Sequence, residues 1–434
     1  MQPGPVASPA NPWRWIPTLY FLQAIPYVIA MTVSVVMYKN LGIGNTEIAL
    51  YTSWLYLPWV IKPLWAPLVD MFGTKRAWIV ALQFVVGAAL ALVALAVPMP
   101  LFFQLTLAVF WLMAFSSATH DIAADGFYML ALPQHAQAAF VGVRSAFFRV
   151  AMIAGQGGLV YLAGQVEEIT GNVPLAWSIV MFTVSGLFLA LCAYHFFALP
   201  RPATDGPSPA AQGLSGFLAT FAEFFRKEGI AAILAFLLLF RFAEAQALKL
   251  VTPFLLDPAA RGGLGLTTSQ VGIVYGTLGV AALTIGGILG GLAISRHGLR
   301  TWLWPMVLAV QVPNLVFVYL AYVQPSSLAV IATALVFEQL GYGFGFAAYL
   351  LFMIMVSEGP RKTSHYAICT GFMALGMMLP GMASGWIQES LGYASFFVWV
   401  CFATLPAFVA AALVRIEPGF GRRNEPSAKV GAAP

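Results

Sequence analysis

Charged residues are scarce in this chain. Only 9% of its 434 residues are Asp, Glu, Lys or Arg, and 60% are hydrophobic. Soluble domains have about 25% charged and 45–50% apolar residues. The composition therefore excludes a soluble protein and predicts an integral membrane protein. The three cysteines, Cys192, Cys369 and Cys401, are far apart in apolar segments, so they suggest neither a disulfide framework nor a metal site.

Several functional motifs are also missing from the sequence. No Gly-Lys-(Ser/Thr) phosphate loop is present, which argues against an ATP-driven pump, and there is no zinc pattern. We expect no cofactor, no bound metal and no nucleic-acid partner. Residues 1–11 lack the basic start and apolar run of a cleavable signal peptide. The first span is therefore expected to serve as its own targeting signal.

Long apolar runs recur along the whole chain. About 20 apolar residues are needed to cross a bilayer, and the sequence contains twelve such runs. The predicted spans are residues 13–38, 48–69, 77–97, 101–131, 138–165, 174–198, 229–256, 268–292, 300–322, 326–356, 364–388 and 393–414.

One long polar segment divides the chain. Residues 199–228 are rich in proline, glycine and charge, and this composition predicts a cytoplasmic linker. Residues 13–198 and 229–414 are then predicted to be two six-helix bundles. Residues 1–12 are expected to form a disordered tail, and residues 415–434 a basic cytoplasmic tail.

The loop charges predict the orientation. With both termini in the cytoplasm, the outer connections hold only Lys39 and Arg261 as bases, and the other loop lysines and arginines lie inside. The two halves also resemble each other: residues 70–75 align with residues 295–300 at an offset of 225. Such weak internal symmetry is typical of transporters built from repeats. The predicted fold is thus an all-α membrane protein in which one chain supplies both halves, and we expect a monomer.

Two acids interrupt the fourth predicted span. Asp121 and Asp125 are four residues apart and therefore share one helix face. A charge near the bilayer centre costs roughly 2.5–3.5 kcal/mol on insertion scales. Capping of a helix end, or pairing with nearby bases, would be a purely structural explanation. The corresponding region of the second half has no acid, and two close carboxylates cannot both ionise cheaply. The pair is therefore a candidate proton carrier, with His120 as a neighbour.

Bases in the second and fifth spans are candidate partners of these acids or of a solute. Lys62 either extends toward the cytoplasmic surface or binds a carboxylate or phosphate of a substrate. One of Arg144 and Arg149 is expected to pair with an acid of the fourth span, since buried charges are expected to pair. Arg144 is predicted to lie near the cytoplasmic end, and Arg149 to be deeper and the better candidate for the cavity.

The remaining candidates give a cavity of mixed charge that is slightly basic. Arg241 and Glu244 are three residues apart, so a local ion pair is expected. Aromatic residues of the second span are candidates for stacking on sugar rings, or they belong to an interfacial belt. Such a cavity suits an anionic or zwitterionic solute. The predicted substrate-binding set is Lys62, Trp59, Tyr56, Tyr128, Arg149, Gln156, Arg241, Glu244, Lys249 and Glu338.

The loop after the second span resembles the signature of the major facilitator superfamily, Gly-x-x-x-Asp-x-x-Gly-(Arg/Lys)-(Arg/Lys). Asp70, Gly73, Lys75 and Arg76 match it, whereas Ala66 replaces the first glycine. The second copy keeps Gly298 and Arg300 and has Ser295 in place of the acid. The resemblance implies that this loop is a conformational latch. We carry that role to Asp70, Gly73, Lys75, Arg76, Gly298 and Arg300, and not to Ser295.

A narrower resemblance is to AmpG-type muropeptide permeases. Residues 61–70 resemble their second span, and residues 121–126 match Asp-Ile-x-x-Asp-(Ala/Gly), an element shared with acetyl-CoA transporters and some siderophore permeases. Ile25 and Pro26 match a Gly-Leu-Pro element in which Ala24 replaces glycine, and residues 363–386 resemble the eleventh span. The resemblance covers most of the chain.

The resemblance implies secondary transport by alternating access in a bacterial inner membrane. Proton-coupled import of an anhydro-muropeptide, or a related cell-wall sugar-peptide, is the expected activity. Asp121 and Asp125 would then carry the coupling. The alternatives are a permease for a siderophore or an acyl-CoA type solute, a non-transporting membrane sensor on the same fold, and an intramembrane enzyme, which the sequence favours least.

Overall fold

The structure, a computed structural model, describes residues 11–206, 214–359 and 362–422. Within these ranges every regular element is a helix. The predicted tails lie largely outside the described residues, as do residues 207–213 of the predicted linker, so the domain boundaries stay a prediction. The side chain of Asp70 also lies outside the described part of the chain.

The first half contains six membrane spans, numbered 1 to 6 in chain order. Spans 3, 4 and 6 are single helices, whereas spans 1, 2 and 5 consist of consecutive shorter helical segments. The bounds are Ile16–Val28, Ile29–Val33 and Ser34–Asn40 for span 1; Asn45–Trp54, Leu57–Ile61, Lys62–Leu64 and Ala66–Met71 for span 2; Lys75–Ala96 for span 3; Phe102–Ala131 for span 4; Gln134–Ile153, Ala154–Leu159 and Val160–Thr170 for span 5; and Val173–Ala198 for span 6.

The second half follows the same plan with spans 7 to 12. It is preceded by a helix inside the predicted linker, Leu214–Phe225, whose Phe224 is fully buried. The bounds are Ile230–Leu239 and Phe242–Leu256 for span 7; Thr268–Val271, Gly272–Gly279 and Val280–His297 for span 8; Leu299–Gln311, Val312–Asn314 and Leu315–Val323 for span 9; Leu328–Val356 for span 10; and Lys362–Phe402 followed by Leu405–Leu413 for spans 11 and 12.

The number of spans agrees with the sequence prediction. Ten helical stretches of the described chain are long and apolar enough to cross a membrane. The last of them has 50 residues and contains spans 11 and 12, because Gly392 leaves the helical conformation with φ 75° and ψ 164°. Span 2 is broken into short segments and adds the twelfth. The predicted fold class, all-α with twelve spans in two six-helix bundles, is confirmed.

Prolines break span 2 where it carries its candidate site residues. Pro58, Pro63 and Pro67 each stand in the first turn of a short helical segment. Proline has no N–H group and is tolerated best in the first turn of a helix, and each of these three prolines stands at the start of a new segment. The segments Leu57–Ile61 and Lys62–Leu64 carry Trp59 and Lys62. Both contact span 11, and Leu57–Ile61 also contacts span 4.

Span 7 is broken for a different reason, since neither proline nor glycine is present at the break. Arg241 has φ −103° and ψ 13° between the two helices. Side chains of neighbouring spans bond to the carbonyl oxygens just before it: Gln311 donates to Phe240 at 2.9 Å and Tyr349 to Leu237 at 2.5 Å. These bonds replace helical ones and leave the Arg241 side chain at the break.

The linker between the halves lies on the same side as the two ends of the described chain. The hydroxyl of Tyr194 donates to the carbonyl of Arg14, and Arg415 pairs with Glu228 at 3.2 Å. The amide of Leu299 also donates to the carbonyl of Phe420 at 2.9 Å. We call this face the terminus side and the other face, which contains residues 40–45 and 256–268, the opposite side.

Candidate functional site

Asp121 of span 4 faces the broken part of span 2. The indole N–H of Trp59 donates to its carboxylate at 3.1 Å, and the ammonium group of Lys62 lies 3.9 Å from the same oxygen. The side chains of Lys62 and Asp121 are 25% and 14% exposed. Lys62 thus points at an acid within the membrane-spanning region, and this contact favours the site interpretation of that lysine over simple snorkelling.

Asp125 pairs with Arg144 of span 5. Their side chains are 2.6 Å apart, and the hydroxyl of Tyr20 donates to the same carboxylate oxygen at 3.4 Å. The guanidinium of Arg144 also lies over two aromatic rings, 4.2 Å from the centre of Tyr20 and 4.7 Å from that of Tyr128. Such contacts add a cation–π attraction to the ion pair.

The structure therefore corrects the sequence interpretation of the two arginines. Arg144, which was predicted to lie near the cytoplasmic end and to carry little meaning, is the partner of the acid. Arg149 makes a contact of 3.8 Å with the sulfur of Met152 and no ion pair within the described residues. The expectation that one of them pairs with span 4 is confirmed. Each acid has its own base, so the two do not share one site.

His120 belongs to a separate, buried hydrogen-bond chain inside the first half. Its Nε2 lies 3.1 Å from the amide nitrogen of Gln83, and the amide oxygen of Gln83 lies 2.9 Å from Nδ1 of His195. Nε2 of His195 in turn lies 2.8 Å from the hydroxyl of Thr18. His120 was assigned to proton coupling beside the carboxylates, but it points away from them, because consecutive helical residues are about 100° apart. The part of His120 in proton coupling stays a prediction.

The polar group of the second half is centred on span 7. The guanidinium of Arg241 donates to both carboxylate oxygens of Glu244, at 3.1 and 2.6 Å, so the expected local ion pair is confirmed. It also donates to the hydroxyl of Tyr342 at 2.6 Å and lies 4.9 Å from the ring centre of Phe346. The break in span 7 thus directs Arg241 toward span 10.

Two further residues lie at the boundary between the halves. Lys249 donates to the hydroxyl of Thr52 at 2.9 Å and lies 5.2 Å from the ring centre of Tyr56. Gln156 of span 5 donates to Thr32 of span 1 at 3.3 Å. Lys249 and Arg149 form no ion pair in the described chain, so these two bases remain available to a solute, and the predicted preference for an anionic or zwitterionic solute stays a prediction.

The halves are bound tightly on the opposite side, which the sequence did not indicate. Lys39 pairs with Asp257 at 2.7 Å, and Asn45 donates to Gln388 and to Tyr393 at 2.7 and 2.8 Å. A second set of bonds between spans 5 and 8 includes Ser269 donating to Glu168 at 2.9 Å. The one signal in the sequence was the opposite charge of Lys39 and Asp257 in the outer connections.

Spans 2 and 11 pack against each other on the opposite side and remain in contact at Val60, where a Cβ atom on Gly371 would lie 3.0 Å from the carbonyl oxygen. Near the opposite side, a Cβ atom on Gly385 would lie 2.2 Å from the carbonyl of Asn45, so the two backbones are in contact. Nearer the terminus side, an apolar cavity of about 160 Å³ lies between Val60 and Phe372 and is covered by Phe221 of the linker helix. This conformation is closed on the opposite side.

Two of the predicted latch residues, Lys75 and Arg76, bond to the end of span 6 and the start of the linker. The backbone amides of Lys75 and Arg76 donate to the carboxylate of Asp205 at 2.7 and 3.1 Å, and the guanidinium of Arg76 donates to the carbonyls of Phe196 and Leu199. Gly73 and Gly298 have φ of 69° and 87°, which favour glycine. Arg300 is exposed. The latch role stays a prediction.

The family of this chain follows from a match to a family model. A model of the Major Facilitator Superfamily matches residues 18–357. The chain belongs to this superfamily. It is therefore an integral, multi-pass membrane protein of a transporter family and not an enzyme, and its ligand is a small-molecule solute.

Relatives of this superfamily member confirm the resemblance to AmpG-type permeases. Anhydromuropeptide permease of Escherichia coli strain K12 is 25% identical over 373 residues, which cover 85% of this chain and 72% of the permease. The transporter designated AmpG 4 of Rickettsia conorii is 24% identical over 408 residues, covering 90% of this chain and 93% of that protein.

A solved structure confirms the major facilitator fold. A bacterial homologue of the human lysosomal transporter Spinster, in an inward-facing and occupied conformation, superposes with a TM-score of 0.68 at 16% identity. The superposition covers 93% of this chain and 96% of the other.

Proposed function

We propose that this protein imports an anhydro-muropeptide, or a related cell-wall sugar-peptide, together with protons across a bacterial inner membrane. Both termini would lie in the cytoplasm, and a single chain in the lipid bilayer would suffice. The observation that carries the proposal is the contact of each span 4 acid with its own base, Asp121 with Lys62 and Asp125 with Arg144. The similarity to the E. coli permease supports the choice of solute.

These ion pairs suggest how proton and solute binding are linked. While Asp125 is ionised, it holds Arg144 at 2.6 Å. Proton binding to Asp125 removes that attraction and frees the guanidinium, which can then bind a carboxylate of the solute, since arginine and a carboxylate form strong charge-assisted hydrogen bonds. Lys62 and Asp121 are arranged for the same exchange. A solute with carboxylates would thus bind best when protons are also bound.

Aromatic residues beside these pairs suit a sugar. The ring of Tyr27 meets those of Trp59 and Tyr56 edge-on, with centroids 5.4 and 6.4 Å apart. The indole N–H of Trp59 is held by Asp121, so its ring has a fixed orientation next to the acid–base pairs. We propose that this group contacts the saccharide while Lys62, Arg144 and the unpaired bases hold carboxylates.

Replacing Asp125 with asparagine should separate binding from coupling. Arg144 would be free at every pH, so exchange of solute across the membrane should continue while accumulation driven by a proton gradient is lost. Counterflow and gradient-driven uptake in proteoliposomes measure the two activities. Glu228→Gln is the control, because it removes an ion pair that is fully exposed and contributes little. If Asp125→Asn keeps gradient-driven uptake with a normal pH dependence, this acid has no role in coupling.

The other solutes remain distinguishable by competition. The Asp-Ile-x-x-Asp element is shared with siderophore and acetyl-CoA transporters, so unlabelled siderophore or acyl-CoA should fail to compete if the muropeptide is the solute. A folded protein that moves none of these solutes would favour the sensor alternative.

A further inference from the structure

Four acids are predicted for proton coupling or substrate binding: Asp121, Asp125, Glu244 and Glu338. Of these, Glu338 alone forms no ion pair in the described chain. It lies in span 10, is 7% exposed, and accepts one hydrogen bond, from the side-chain amide of its neighbour Gln339 at 2.9 Å. Asp121, Asp125 and Glu244 each form an ion pair. A buried carboxylate without a partner is strongly disfavoured in a membrane-embedded site.

The groups around Glu338 do not supply a compensating charge. From span 8 it faces the hydroxyl of Tyr275, and from span 7 it faces Glu244, a second acid that interacts with it across the interior of this half. Arg241, the base beside Glu244, is already bound to Glu244 and Tyr342. An ionised Glu338 would therefore add a second negative charge beside Glu244 with a single guanidinium to balance both.

We infer that Glu338 holds a proton in the conformation closed on the opposite side, and that it is a second proton-binding site, separate from the acids of span 4. A neutral carboxylic acid in this position adds no charge to the buried group. It also retains an oxygen that accepts from Gln339. Only the role of this proton in transport rests on the proposed function. The protonated state of Glu338 follows from its burial and from its lack of an ion-pair partner.

The position of Glu338 connects it to the contact between the halves. A Cβ atom on Gly279 of span 8 would lie 3.3 Å from the side chain of Gln339, so this side-chain pair packs directly behind the segment Gly272–Gly279. On its other face, that segment contacts the backbone of Gln156 and Gly157 in the first half. If spans 5 and 8 separate, the segment Gly272–Gly279 that lies in front of Glu338 loses its contact with the first half. Glu338 could then release its proton to the opposite side.

Infrared spectroscopy of the purified full-length protein at neutral pH tests the site without any solute. A protonated carboxylic acid has a C=O stretching band that shifts in heavy water and is distinct from the bands of carboxylates. We expect Glu338→Gln to remove part of this band, and Asp125→Asn and the exposed control Glu417→Gln to leave that part unchanged. Glu338→Asp, which keeps an acid, should shift the band and covers the case in which Glu338→Gln fails to fold.

Transport measurements then test the role of the proton. In this proposal Glu338 binds a proton and not the solute, unlike its place in the substrate-binding set predicted from the sequence. Glu338→Gln should therefore lose gradient-driven accumulation and keep solute counterflow. An unchanged infrared band in Glu338→Gln, together with an unshifted band in Glu338→Asp, overturns the proton site. Loss of the band with unchanged accumulation overturns its role in coupling. If the wild-type protein moves no anhydro-muropeptide but the band is still lost in Glu338→Gln, the proposed solute is wrong and the proton site stands.

Discussion

Replacing Arg241 with glutamine should lower the thermal stability of the protein more than any other single change in the polar groups. Arg241 and Glu244 are 10% and 6% exposed at their side chains and share two hydrogen bonds. Removing one partner of a buried pair leaves the other charge uncompensated, which typically costs about 3–5 kcal/mol. Thermal unfolding of the purified protein in detergent measures the loss.

The double replacement identifies the cause. Arg241→Gln combined with Glu244→Gln removes both charges, so most of the lost stability should return, because no uncompensated charge remains. The exposed pair Arg415 and Glu228 is a matched control, and Arg415→Gln should leave the unfolding temperature unchanged. Equal losses in the single and double variants would mean that packing of the side chains, and not charge pairing, stabilises this part of span 7.

Replacing Gly276 with valine should open the opposite side. A Cβ atom at this position would lie 2.1 Å from the carbonyl oxygen of Gln156 and 2.6 Å from the amide of Gly157. Both are backbone atoms of the first half, so no change of rotamer relieves the clash, and overpacking of this kind typically costs about 1–3 kcal/mol. Since each 1.4 kcal/mol is roughly a tenfold change in population, the population of the open state should rise by about fivefold to a hundredfold.

A single cysteine reports this change. Ala49 of span 2 is fully buried in an apolar cluster with residues of the second half. In a background without the three native cysteines, Ala49→Cys should react slowly with a membrane-impermeant thiol reagent, and faster once Gly276→Val is added. Gly291→Val in the same span is the control, because a Cβ atom at this position would have no other atom within 4 Å. Equal labelling in the two backgrounds would contradict the assigned contact.

The architecture follows from the sequence because apolar length and loop charge are local properties. Twelve apolar runs, a polar break and an internal repeat are sufficient for the fold class. The breaks in span 2 were also readable, since three prolines mark them. The break at Arg241 could not be predicted from the sequence, because it depends on hydrogen bonds that side chains of spans 9 and 10 donate to the backbone just before it.

The site residues were found more easily than their partners. Charged residues within the membrane spans are easy to recognise in a chain that has few charged residues. Which acid pairs with which base depends on how the helices face each other. Arg144 and Arg149 are five residues apart and so about 140° apart around a helix, and only the packed arrangement decides which one meets Asp125. His120 is a different case: its direction, away from the neighbouring Asp121, was already implied by helical periodicity.

The contacts between the halves could not be predicted from the sequence. Lys39 and Asp257, or Asn45 and Gln388, are more than two hundred residues apart, and no local pattern links them. The same holds for the lack of a base near Glu338, which emerges only when every neighbouring span is in place. Both features concern the conformational cycle, so they refine the mechanism without changing the fold or family.

The most direct test of the account is the uptake of labelled anhydro-disaccharide-tripeptide into proteoliposomes, with and without an inward proton gradient. We expect accumulation above the external concentration when the gradient is present, and only equilibration when it is absent. No uptake by the folded protein would contradict the muropeptide as solute and make a siderophore or an acyl-CoA the next candidates. Accumulation that does not depend on the proton gradient would contradict the coupling role of Asp121 and Asp125.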